Sequence, residues 1–178
     1  MKLVLIGLRG TGKSTVGRIL AQRLKWDYFD TDVLVEERAQ MSIKELFAKH
    51  GEPFFRKLES EIVRECAQKD KVVIATGGGA ILDRQNVDAL KDNGFVIHLT
   101  ANPSELWHRI SQDPNTKKNR PPLLQNAESG IDELKKLMLA RSAAYAHARD
   151  VEVTVEDRSP DEVADAALLL LKTHRVKV

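Results

Sequence analysis

Short apolar runs recur along the chain, and each gives way to glycine, aspartate or asparagine. Lys2–Ile6 ends at Gly7 and reads as a buried parallel strand entering a loop. The next stretch, Ser14–Leu24, carries Val16, Ile19, Leu20 and Leu24 at helical spacing, so the opening unit is strand, glycine loop, helix. Tyr28-Phe29 is a weaker strand before Asp30-Thr31-Asp32. Val72–Ala75 is a strand before Gly77-Gly78-Gly79, and Phe95–Leu99 is a strand before Asn102-Pro103. Asn102 as N-cap with Pro103 in the first turn starts a helix through about Ser111. Val151–Val155 is the last strand, and Ser159 with Pro160 opens a terminal helix through about Leu171.

Strands alternating with helices predict an α/β fold with a parallel sheet covered on both faces by right-handed crossovers. Ligands of such sheets lie beyond the carboxyl ends of the strands. Two regions break the alternation. Ser42–Gln68 reads as helices joined near Gly51-Glu52-Pro53, inserted between the second and third strands and sized for a substrate-binding region of about residues 32–68. The polar, proline-bearing Gln112–Gln125 (QDPNTKKNRPPLLQ) predicts a mobile loop.

Composition narrows the class. The 178 residues suit a single domain, with 42% hydrophobic and 30% charged residues in the balance of a globular protein. No apolar run approaches the roughly 18 residues of a membrane span, and Leu3–Ile6 is too short for a signal-peptide core, so a cytoplasmic address is expected. A formal charge of +2, with no basic run interleaved with aromatics, argues against a nucleic-acid partner. Cys66, alone in the chain, reads as a structural thiol. The histidines His50, His98, His108, His147 and His174 lack metal-ligand spacing and read as structural or surface groups, and Trp26 and Trp107 read as packing residues.

The candidate chemistry sits where the strands end. Gly7-Leu-Arg-Gly-Thr-Gly-Lys13-Ser14 matches the phosphate-binding pattern G-x-x-x-x-G-K-[ST] between a strand and a helix. Glycines let successive N–H groups turn toward phosphates, and the helix aims its positive end at the same place. Lys13 is placed to reach the β/γ-phosphates, and the Ser14 hydroxyl to ligate Mg²⁺. Asp30 and Asp32 share that sheet edge, where carboxylates can hold a magnesium shell and orient or deprotonate a hydroxyl, the reading favoured over one of them merely capping the following helix. Three glycines in a row at Gly77–Gly79 suit close backbone approach to a ligand, an amide nest for an anion, or a plain tight turn. Arg56, Arg120 and Arg141 stand outside the strands, where arginine either binds carboxylate or phosphate bidentately or is simply solvated.

Taken together, GLRGTGKST, the DTD of Asp30–Asp32, FRKLE at Phe55–Glu59, TGGGA at Thr76–Ala80 and NRPPLL at Asn119–Leu124 resemble the shikimate kinases, in order and over nearly the whole chain. The resemblance implies a three-layer, adenylate-kinase-like P-loop fold with a five-stranded parallel sheet, a substrate-binding helical region, a closing lid at about residues 112–125, and a monomer. It implies ATP and Mg²⁺ as cofactors and transfer of the γ-phosphoryl group to the 3-hydroxyl of shikimate. Gly10, Thr11, Gly12, Lys13, Ser14 and Thr15 would then contact the nucleotide, Arg120 the ATP phosphates and Arg158 the adenine. Asp32 would bind the shikimate hydroxyls as the proposed base, and Asp30 would hold magnesium through water. Arg56 and Arg141 would clamp the shikimate carboxylate, with Gly77, Gly78 and Gly79 supplying backbone contacts and Glu59 holding Arg56. Arg109 resembles a nucleotide-side arginine. One departure from the family pattern is the second proline of RPPLL, where a common form reads RPLL. The alternatives are a kinase of another small hydroxy acid such as gluconate, and a nucleotide-binding regulator without transfer. The presence of Asp32, Arg56, Gly78 and Arg141 weighs against the regulator.

Overall fold

The computed structural model describes residues 1–113 and 130–176. Five parallel strands, β1 (Lys2–Ile6), β2 (Asp27–Asp30), β3 (Val72–Ala75), β4 (Gly94–Thr100) and β5 (Val151–Thr154), form one sheet in the order β2-β3-β1-β4-β5. Every residue of β1 and of β3 is buried. Side chains alternate between faces along a strand, so complete burial requires cover on both sides and explains the unbroken apolar runs.

The connecting helices supply that cover. Helix α1 (Lys13–Leu24) buries Val16, Gly17, Leu20 and Ala21 against β1, β2 and β3 and packs on the terminal helix α7 (Pro160–Thr173). Helix α4 (Arg84–Lys91) covers β4 and meets α3 (Ile43–Ala67), while α5 (Pro103–Gln112) packs on α6 (Gly130–Ala148). Leu3, Leu5, Leu20, Ile74 and Leu99 are wholly inaccessible at the centre of the core. Truncating such a leucine to alanine costs about 2–5 kcal/mol.

The caps form as their residue types predict. Asn102 accepts the Glu105 N–H at 2.8 Å, and Ser159 forms a reciprocal box with Glu162 at the start of α7. The short helix α2 (Thr31–Ala39) is capped by Asp30. Helix α3 is two helical pieces fused across a kink at Gly51, whose φ of 79° suits a glycine, with Pro53 just beyond. Past the kink, Phe55, Glu59, Ile62, Val63 and Cys66 are buried along one stripe at helical spacing. Cys66 lies inside this core and burial pushes its thiol up to about 11, as befits an unreactive structural residue. Trp26 and Trp107 are half-buried against the core. Among the described residues no helix is long and apolar enough to cross a membrane.

Register decides what the sheet presents. Leu5 pairs with Ala75, Asp30 pairs with Ala75 from the other side, and Ile6 pairs with His98. The loops after β1, β2 and β3 therefore leave one edge side by side, which brings Gly7–Gly12, Asp30–Asp32 and Gly77–Gly79 together.

Candidate active site

The first loop is shaped by its glycines. Gly7 has φ +149°, and a β-carbon there would stand 2.4 Å from the Leu99 carbonyl oxygen, so β4 admits only glycine at the loop's entrance. Gly12 has φ +80° and ψ 17° as the N-cap of α1, a left-handed conformation that strains any other residue. Thr11 ties the loop across itself by donating to the Leu8 carbonyl at 2.9 Å. Lys13 arches back to donate from Nζ to the carbonyls of Gly7 and Leu8 at 2.9 and 3.0 Å. The first turn of α1 holds no acidic residue and no side chain caps it. Its leading N–H groups and the positive end of the helix dipole are thereby kept for an anion. Gly10 and Thr15 lie in the same turn system, Thr15 exposed.

The second loop meets the first through Asp30. Its Oδ2 accepts the Ser14 hydroxyl at 2.6 Å and the Tyr28 hydroxyl at 3.1 Å, while Oδ1 accepts the Asp32 N–H at 3.1 Å. Asp30 thus caps α2 and also faces Ser14. Burial and the Asp30 charge push the Tyr28 phenol well above its ordinary value, so it stands as a donor. The oxygens of Ser14 and Asp30 are the hard donors that suit Mg²⁺, which is usually held by one or two carboxylates together with substrate phosphates. No group of three or more His, Cys, Asp or Glu side chains that could hold a metal ion occurs among the described residues.

The third loop is the floor of an acidic and basic cluster. Gly77 donates its N–H to the buried Thr31 hydroxyl at 2.9 Å, which stitches this loop to the start of α2. An ideal β-carbon on Gly77 would lie 2.6 Å from Asp32 Oδ1 and equally 2.6 Å from Glu59 Oε1, so two carboxylates converge directly above it. Glu59 is buried, its Oε2 accepts from Arg56 Nη1 at 2.7 Å, and its Oε1 has no hydrogen-bond partner among the described residues. Burial pushes the Glu59 carboxyl upward, as does the nearby Asp32, and Arg56 and Arg141 pull it back. The 2.7 Å contact with a guanidinium supports the ionised form. Arg56 is also held by Glu52 at 3.0 Å. Arg141 donates to the Gly78 carbonyl at 3.0 Å, and Tyr145 donates to the same oxygen at 2.8 Å.

Behind this floor the Tyr145 ring stacks on His98, with centroids 4.4 Å apart. Burial, with Arg149 and Lys13 adding repulsion, lowers the His98 pKa to about 4. His98 Nδ1 also lies 3.2 Å from Glu152, a contact that would raise it. Arg149 pairs with the same carboxylate, and a neutral imidazole can donate to it, so the depressed value stands.

Of the remaining sequence candidates, Arg109 donates to Glu105 at 2.6 Å and to the Val155 carbonyl at 3.1 Å, on the loop that leads to Arg158. Arg158 is exposed and donates to the Thr154 carbonyl at 3.4 Å. Arg120 and residues 114–125 of the expected lid lie outside the described residues. Sequence reasoning passed over Thr31, Tyr28 and Tyr145. The two tyrosines carried a signal nonetheless, since Tyr28 is two residues from Asp30 on a strand and Tyr145 four from Arg141 on a helix.

The chain as a whole has relatives. Residues 9–172 match the family described as Shikimate kinase. The chain belongs to the shikimate kinase family. The shikimate kinase of Symbiobacterium thermophilum is 42% identical over 163 residues, 92% of this chain and 91% of that one. The shikimate kinase of Acinetobacter baumannii, solved in complex with shikimate, superposes with a TM-score of 0.90 at 30% identity, covering 99% of this chain and 95% of that chain. A gluconokinase from Sinorhizobium meliloti, at a TM-score of 0.67 and 18% identity over 97% of this chain and 91% of that one, shares the fold alone. The three-layer P-loop architecture with its five-stranded parallel sheet is therefore that of the shikimate kinases.

Proposed function

We propose that this chain transfers the γ-phosphoryl group of ATP to the 3-hydroxyl of shikimate, giving shikimate 3-phosphate and ADP in the route to chorismate and the aromatic amino acids. The observation that carries the reading is the convergence over one glycine loop of Asp32 and Glu59 above Gly77, with Arg56 held at Gly79 and Arg141 on Gly78. A hydroxylated acid offers a carboxylate for the guanidinium groups and hydroxyls for the carboxylates of this cluster.

Phosphoryl transfer asks a protein chiefly for alignment and charge neutralisation. Lys13 leaves the loop carbonyls to meet the β- and γ-phosphates, and the nucleotide also receives the backbone amides of Gly10, Thr11, Gly12 and Thr15 at the start of α1. Ser14 and Asp30 would hold Mg²⁺, Asp30 through water, and the ion would supply charge neutralisation for the transferring phosphoryl group. Arg120 reaches the ATP phosphates and Arg158 borders the adenine. Arg56 and Arg141 grip the shikimate carboxylate as paired forks, and Glu59 keeps Arg56 in place. Asp32 accepts a hydrogen bond from the attacking hydroxyl and takes its proton as the oxygen bonds to the γ-phosphorus and the bond to the bridging oxygen of ADP breaks. Residues 32–68 form the acceptor-binding part of a single domain, and the enzyme works as a cytoplasmic monomer.

Identification of the product tests this assignment. Phosphorus and proton NMR of the product from shikimate and MgATP should show one ester, at the 3-oxygen. Esterification at another hydroxyl would mean that Asp32 addresses a different acceptor oxygen than proposed.

A further inference from the structure

Asp30 is held by three donors. Two of them, Ser14 and the Asp32 N–H, belong to the phosphate loop and to the cap of α2. The third, the Tyr28 hydroxyl, has no counterpart in the reading above. Tyr28 and Asp30 share a face of β2, and the tyrosine oxygen meets Asp30 Oδ2 at 3.1 Å, on the same atom that receives Ser14 at 2.6 Å.

The tyrosine ring is fixed by its own seat. A β-carbon on Gly17 would stand 2.6 Å from Tyr28 Cε2, so the ring lies in a notch that α1 offers only because residue 17 is glycine. The Arg18 guanidinium carbon lies 5.5 Å from the ring centroid, within cation–π reach. One turn of α1 therefore carries Ser14 to Asp30 directly and, through Gly17 and Arg18, seats the phenol that bonds the same carboxylate. With Oδ1 on the Asp32 N–H and Oδ2 on two hydroxyls, the carboxylate cannot rotate. The Ser14 hydroxyl donates to Asp30 at 2.6 Å, which leaves its oxygen able to accept or to ligate.

Building on the magnesium-dependent kinase reading, we propose that Tyr28 is a positioning residue for the cation site, locking Asp30 so that the Ser14 hydroxyl presents its lone pairs to the metal. Groups one step behind a metal ligand typically change metal affinity by about 10- to 100-fold when removed.

The test is Tyr28→Phe, which keeps the ring in its notch and beneath Arg18 and deletes one oxygen. Mn²⁺ binding to the ADP-saturated protein, followed by the spin-resonance signal of free Mn²⁺, should weaken by about tenfold, and the free Mg²⁺ needed for half-maximal turnover should rise in parallel. ADP affinity without metal and the KM for shikimate should stay unchanged, which a general packing defect would not allow. Wild-type Mn²⁺ affinity in the variant, or an equal loss of metal-free ADP binding, overturns the role given to Tyr28 while leaving the kinase reading intact. A wild-type protein that binds no Mn²⁺ with ADP would contradict the magnesium reading itself, and this inference with it.

Discussion

A β-carbon on Gly79 would stand 2.4 Å from Nη1 of Arg56 and 2.7 Å from its Nη2, so the guanidinium plane lies where any other residue's side chain would begin. The glycine and the arginine thus define one another's place. Gly79→Ala should drive Arg56 from its position between Glu52 and Glu59, raising the KM for shikimate by roughly tenfold or more, the value of one or two hydrogen bonds to a charged group. The KM for ATP should hold. Steady-state kinetics with each substrate varied in turn decides it, and a change confined to ATP would contradict the clamp.

Lys13→Ala should lower kcat by at least about 10²-fold, the scale seen when one preorganised donor to a developing charge is removed. Lys13 is half-buried in the phosphate loop and stands outside the hydrophobic core, so the far-ultraviolet circular dichroism should match the parent. Turnover near the parent value would remove the phosphate loop from the mechanism.

Arg141→Lys replaces a planar fork by a point charge. Tyr145 still holds the Gly78 carbonyl at 2.8 Å, so the glycine loop should keep its course and the loss should fall on shikimate binding. An unchanged KM for shikimate would refute the bidentate grip.

His98 supplies a pH dependence. Its pKa in the folded chain, about 4, lies below the ordinary 6.5, so the native state binds this proton less readily than the unfolded chain. Its contribution to stability is complete above pH 6.5 and is lost as pH falls toward 4. A shift of that size corresponds to roughly 3 kcal/mol. His98→Phe retains an aromatic partner for Tyr145 and should flatten the fall in unfolding free energy across this interval, measured by urea titration at successive pH values. Parallel curves for parent and variant would show that His98 is not buried neutral.

Much of this site was legible in the sequence because its parts are local. The phosphate loop, the strand endings and the caps at Asn102 and Ser159 depend on residues within a few positions of each other. Helix α6 was less visible. Its sequence mixes alanine, lysine and leucine on most faces, and it buries Glu133 beside Leu134, Leu137 and Tyr145, so polarity and burial do not separate along it. The polar α2 buries only Thr31 and Val35, too little for a periodic signal. The three glycines of residues 77–79 announced a close approach, yet what approaches comes from Asp32, Arg56 and Glu59, at sequence separations that no local pattern records.

The most direct test of the central claim is ADP release from purified protein with MgATP, followed in a coupled assay with shikimate, with gluconate and with neither. Strong stimulation by shikimate and none by gluconate is the expected result. Stimulation by gluconate alone, or by neither acid in protein shown to bind ATP, would contradict the assignment of Asp32, Arg56 and Arg141 to a shikimate site.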